Sequence, residues 1–222
     1  MKKSIPIIPP KVILLPALFV LLMWLVYWVE VRFHLNFNSW GVYPRRLSGI
    51  VGILCSPFIH GSLTHLWHNT VPILVLTSAL LYFYRGVSLR VFVLGYILTG
   101  LLTWIIGRAS LHIGASGIIY MLAGFLFFKG IWARNYRLAA VSFIVVFLYG
   151  SLIWGTLPYD PKISWEGHLS GLLSGILLAI FIRDRIEFAK KYAWELESYD
   201  ETKDPFMRHF DEDGNFVEWE EE

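Results

Sequence analysis

The 222-residue chain is 56% hydrophobic and only 16% charged, with 10 Trp and a formal net charge of +2. A soluble domain carries roughly 25% charged residues, so the composition excludes an ordinary soluble globule and points to a chain embedded in lipid. The single cysteine, Cys55, excludes an intrachain disulfide and a cysteine-built metal centre, and it reads as a free thiol.

In chain order, Lys2, Lys3 and Lys11 precede an apolar run from Val12 to about Val31. That run is too long for a signal-peptide core and no small-x-small cleavage pattern follows it, so it reads as a retained first span. Further apolar segments lie at about 63–84, 91–107, 115–128, 138–154 and 165–182. Their lengths approach the ~20 residues that cross a bilayer, and an open strand cannot satisfy its backbone there. The expectation is an all-α membrane protein with six transmembrane helices in residues 12–182, preceded by residues 1–11 and followed by a polar tail, 183–222.

Residues 1–182 hold 13 Lys/Arg against 3 acids, whereas the tail holds 6 against 14. With a cytoplasmic N-terminus, the inner segments carry 14 Lys/Arg and the outer loops 5. The positive-inside rule then places both termini in the cytoplasm, in a plasma membrane of the bacterial inner-membrane kind. Arg183, Arg185, Lys190 and Lys191 suit an inner-leaflet anchor. The acidic end, Asp211–Glu222, is expected to be mobile, and nothing in it suits nucleic acid.

Polar groups inside spans are costly, and here they cluster at three places. His65, His68 and Asn69 open the second span just after His60; Gly114-Ala115-Ser116-Gly117 opens the fourth; His168 lies near the start of the sixth in Glu166-Gly167-His168-Leu169-Ser170-Gly171. Spans two, four and six run in the same direction, so the three clusters fall at one depth near the outer face. The fourth segment is short; with its inner end set by Lys129 and Arg134, Ser116 falls below the outer surface. The stretch Ala109–Gly114 then dips into the membrane, which irregular backbone does only where it lines a wet cavity.

A serine hydroxyl is a weak nucleophile until a base takes its proton, and a histidine with its near-neutral pKa suits that task. Ser116 begins a helix, where free N–H groups favour a developing oxyanion, and His65 and Asn69, four apart on one helix face, can add donors. Gly114 and Gly117 allow an unusual turn and close approach of a substrate backbone. Gly167, Gly171 and Gly175 give the sixth span a small-residue face for packing on the fourth, with Gly124 as a matching contact. Glu166 lies two residues from His168 and so points to the other side of the helix, which leaves a Ser116–His168 dyad with no acidic third member. His34, His112 and His209 read as interfacial or tail residues, and His68 as a supporting or lipid-facing one.

The three segments Phe58-Ile-His60-Gly-Ser-Leu-Thr-His65-Leu-Trp-His-Asn69, Gly114-Ala-Ser116-Gly117-Ile-Ile-Tyr120 and Gly167-His168-Leu-Ser-Gly171 together resemble the rhomboid family of intramembrane serine proteases. The resemblance implies a six-helix bundle in which Ser116 and His168 are the catalytic dyad. It implies an oxyanion hole of His65, Asn69 and the Ser116 amide, Tyr120 against the His168 ring and His60 as a structural hydrogen-bonding residue. It further implies single-span membrane proteins as substrates, cut near the membrane surface, no cofactor and no metal, and a mobile gate and cap formed by the fifth span and residues 154–164. Many members carry a Trp-Arg pair in the first long loop; here that loop reads Trp40-Gly-Val-Tyr-Pro44-Arg45-Arg46, so Pro44-Arg45 is the candidate replacement.

Two other readings stay open at this point. One is a metal site built from His60, His65, His68 and His168, against which no intramembrane Asp or Glu joins them and no His-Glu-x-x-His helix appears. The other is a non-catalytic membrane protein that binds transmembrane helices without cutting them.

Overall fold

The computed structural model describes residues 9–133, 135–161, 163–183, 198–211 and 213–218. The chain divides into two compact units, Met1–Asp184 and Arg185–Glu222. Among its described residues the first holds seven α-helices: α1 (Lys11–Phe33), α2 (Gly52–Cys55), α3 (Leu63–Phe83), α4 (Ser88–Ile106), α5 (Ser116–Trp132), α6 (Tyr136–Tyr149) and α7 (Trp165–Phe181). Among the described residues there is no strand, only isolated bridges between Val42 and His112 and between Phe210 and Phe216.

The six longer helices fall on the six apolar segments read from the sequence, within a few residues at most ends. Among the described residues four elements are long and apolar enough to cross a membrane: α1, α3, α4, and α6 taken with its 3-10 continuation to Thr156. Helices α5 and α7, 17 residues each, are shorter. Around the bundle large apolar side chains point outward, including Phe147 at 88% and Leu89 at 71% exposure. Such a surface is stable in lipid and not in water. This is an integral membrane protein.

Helix α5 is the axis of the unit. Ile118, Ile119, Tyr120, Met121 and Leu122 are all buried in succession, so the helix is enclosed on every side. Its closest partner is α7, with α3, α4 and α6 around it. The intimacy comes from missing side chains: a Cβ at Gly171 would lie 2.0 Å from the Gly117 carbonyl oxygen, and one at Gly175 2.3 Å from that of Met121. Gly124 faces Leu172 and Gly175 across the same seam. At the far end, Lys129 reaches from α5 to the Ala179 and Ile182 carbonyls, where α7 leaves acceptors unsatisfied.

The fifth apolar segment differs from its expectation. It was expected as one helix over 138–154, whereas α6 ends at Tyr149 and Gly150–Thr156 winds as a 3-10 helix. The first loop is also more structured than hydropathy indicates, with short turns at Asn38–Trp40, Leu47–Ile50, α2 and Ser56–Phe58. Arg45, in the left-handed region at φ 57°, donates from its guanidinium to the carbonyls of Ile105 and Gly107, and its own N–H bonds Trp104 O. Trp104 returns a bond from Nε1 to Arg46 O. Arg45 thus anchors the loop on the open carbonyl end of α4, while Pro44 packs against Gly107.

In the second unit, the described part of the acidic end makes local hydrogen bonds. The Asp211 side chain accepts from the Asp213 and Asn215 N–H groups, Gly214 turns at φ 80°, and Val217 N–H bonds back to His209 O. An Asx-type turn of this kind closes a small hairpin, which Phe210 and Phe216 cover by edge contact. Arg185, Lys190, Lys191 and the last four residues lie outside the described residues.

Candidate active site

Three local devices present the polar residues. Ser62 caps α3 by accepting the His65 N–H, which fixes where that helix begins and brings His65 and Asn69 to its first turns. Gly114 adopts φ 99°, closed to side chains, so the chain can turn into α5 with Ser116 at its first position. Ser164 caps α7 by accepting the Gly167 N–H at 3.3 Å, one residue before His168.

These helix starts line one polar cavity of about 950 Å³, with His65, His68, Asn69, Ser116, Tyr120 and His168 in its wall. Across it, His168 Nε2 and Ser116 Oγ are 2.8 Å apart. His168 Nδ1 lies 2.9 Å from the carbonyl oxygen of Gly155. A carbonyl only accepts, so Nδ1 carries the hydrogen and Nε2 is the bare nitrogen that receives the Ser116 O–H. The imidazole is therefore held as the tautomer a general base needs. Tyr120 stacks on the ring, centroids 4.3 Å apart and planes 9° from parallel, which removes its freedom to tilt.

His65 rests against Gly114; a Cβ there would stand 2.6 Å from its Nε2. Asn69, buried, uses one amide hydrogen on His65 O at 2.9 Å and retains the other. His60 makes one backbone hydrogen bond and leaves its second ring nitrogen without a partner. Its Nδ1 is 3.3 Å from Phe58 O, its Nε2 is buried with no partner, and its ring meets that of His65 edge-on. Among the described residues no three His, Cys, Asp or Glu side chains converge as a metal would require, so the reading of a His-built metal site gains nothing from the geometry.

Some residues here carry no obvious mark in the sequence. Gly155 is one, since its contribution is a backbone carbonyl. Glu166, 2% exposed, pairs with Arg108 at 3.2 Å. His112, to which the sequence assigns no site role, is buried beside this pair. Its Nε2 faces the Arg108 carbonyl at 3.1 Å and so donates, leaving Nδ1 to accept from the Ser164 hydroxyl at 2.6 Å. Burial pushes this imidazole below its ordinary value, in keeping with a neutral ring. His68 is exposed on the cavity wall, His34 ends α1 and His209 stacks on Phe216 in the second unit.

Residues 48–185 match the family model described as the Rhomboid domain, a stretch that includes all three clusters. The chain belongs to the rhomboid family. Rhomboid proteins are intramembrane serine proteases that act on transmembrane substrates, together with inactive members. Relatives of this rhomboid protein include uncharacterized proteins of Mycobacterium bovis and Mycobacterium tuberculosis, each 33% identical over 74% of this chain and 72% of the relative. A protein of Mycobacterium leprae is 30% identical over 74% of this chain and 68% of its own length.

Proposed function

We propose that this rhomboid protein is an active serine endopeptidase that hydrolyses peptide bonds of single-span membrane proteins near the outer membrane face. The observation that carries this reading is the 2.8 Å contact between Ser116 Oγ and a correctly tautomeric His168 Nε2 at a polar cavity. His168 Nε2 takes the hydroxyl proton as Oγ attacks the scissile carbonyl carbon. Charge gathers on the carbonyl oxygen, where the Ser116 N–H at the start of α5, His65 and the spare amide hydrogen of Asn69 receive it. The imidazolium returns the proton to the amine nitrogen as the C–N bond breaks. Water then enters the cavity, loses a proton to the same nitrogen and attacks the acyl-serine carbon, releasing the carboxylate and restoring the hydroxyl.

In this reading all six longer helices span the bilayer, residues 12–182 are the protease domain and both termini are cytoplasmic. The excess of 14 Lys/Arg on the inner side over 5 outside supports that orientation. At 17 residues α5 is about 25 Å long against a core of ~30 Å, which favours a nucleophile set below the outer surface.

Cleavage of a single-span model protein in proteoliposomes tests the reading. Ser116→Ala is expected to abolish turnover, and His65→Ala and Asn69→Ala each to lower kcat by about 100- to 1000-fold. Undiminished cleavage by Ser116→Ala would refute the assignment. A wild type that binds single-span helices over a broad panel yet cuts none would favour the helix-binding alternative.

A further inference from the structure

The start of α7 and the segment leading into Ser116 are joined a second time, by groups the Ser–His couple does not use. Glu166 Oε1 accepts the Arg108 backbone N–H at 3.2 Å, and Arg108 Nη1 reaches the two carboxylate oxygens at 3.4 and 3.2 Å. From the same guanidinium, Nη2 donates to the carbonyls of Pro161 at 2.7 Å and Ile163 at 2.9 Å. Beside this pair the Ser164 hydroxyl bonds His112, which bonds back to the Arg108 carbonyl.

The carboxylate of this pair is buried and the guanidinium half-exposed, at 2% and 37%; desolvation of the carboxylate offsets much of the attraction, so the pair is a poor source of net stability, and what it fixes is geometry. Arg108 and His112 lie on the stretch that ends at Ser116, and Glu166 and Ser164 flank the turn that presents His168. Each side of the couple is thus clamped a few residues from its reacting atom. Ile163 and Ser164, held by the clamp, also form part of the cavity wall. Proton transfer between Oγ and Nε2 is steep in distance, and a displacement of about 1 Å can cost ~100-fold in rate.

We propose that Arg108 and Glu166, with the His112–Ser164 pair beside them, are positioning residues that set the spacing of Ser116 Oγ and His168 Nε2. This rests on the serine endopeptidase reading above. The test uses the full chain in proteoliposomes, a single-span model substrate and a fluorophosphonate probe that needs no substrate helix. Glu166→Ala is expected to lower kcat and the labelling rate alike by about tenfold or more, with KM within about twofold. Glu166→Gln keeps an oxygen for the Arg108 N–H and should recover most of that loss.

Folded Glu166→Ala protein turning over at wild-type kcat, even with a lowered melting temperature, would overturn the proposal. If Glu166→Ala does not fold, Ser164→Ala carries the test: a kcat loss of about threefold or more at unchanged KM supports the clamp, and wild-type kcat overturns it. A wild type that neither cleaves nor labels removes the endopeptidase reading and the clamp with it. A competent wild type with an indifferent Glu166→Ala removes the clamp alone.

Discussion

At His168 a backbone carbonyl stands where a carboxylate orients the histidine of a catalytic triad. The Gly155 oxygen fixes the tautomer by hydrogen bonding and offers the imidazolium a dipole in place of a full charge. A Cβ at Gly155 would sit 2.0 Å from the Tyr120 hydroxyl and 3.1 Å from His168 Nδ1, so a side chain there would have to displace the ring that stacks on His168. His60 shows a different use of burial. Loss of solvent, and secondarily the neighbouring His65, push its imidazole down from 6.5 to about 4, against an opposing hydrogen bond to Phe58 O. Between those values the unfolded chain binds more protons than the folded one, so the His60 contribution is intact above 6.5 and is lost as pH falls toward about 4. His60→Asn should therefore show a smaller drop in melting temperature than wild type between about pH 7.5 and 4.5. An equal drop would contradict this account. Ser116 and His168 are legible in the sequence because a hydroxyl and an imidazole stand out in apolar helices. Gly155 is not, since every residue brings a carbonyl, and Arg108 and Glu166 lie 58 apart with nothing local to link them.

At the scale of elements, the seam between α5 and α7 decides whether the two halves of the couple meet. Hydropathy locates both helices, and the recurrence of glycine at 167, 171 and 175 marks the contact face in advance. What hydropathy does not register is hydrogen-bond pattern, which is why the fifth segment reads as one helix and winds instead as α6 and a 3-10 helix ending beside His168. The first loop escapes for the same reason: its order comes from Arg45 bonding to the end of α4, about sixty residues on. The seam makes a direct prediction. Gly171→Val places carbon against the Gly117 carbonyl and separates the helices, at a cost of about 1–3 kcal/mol. That corresponds to roughly 2–10 °C in Tm, and turnover should fall at least about tenfold as His168 moves off Ser116. Phe147→Ala, on the lipid-facing side of α6, should leave both unchanged. Wild-type Tm and turnover in Gly171→Val would show that the close approach is unnecessary.

At the scale of the whole molecule, a chain built for lipid keeps a polar cavity in its first unit where three helix starts converge. Its orientation is open to direct test in a Cys55→Ser background, using a membrane-impermeant maleimide on sealed cells. Leu47→Cys, at a position 82% exposed in the first loop, should label from outside. Glu201→Cys in the second unit should label only after permeabilisation, and labelling of Glu201→Cys in intact cells would reverse the topology. The central claim of the proposed function is narrower: that Ser116 is a nucleophile because His168 makes it one. The most direct measurement is the rate at which a fluorophosphonate probe modifies Ser116 in the reconstituted full chain, compared between wild type, His168→Ala and Ser116→Ala. The account predicts labelling of wild type, none in Ser116→Ala and a loss of at least about 1000-fold in His168→Ala. Equal labelling with and without the His168 imidazole would contradict it.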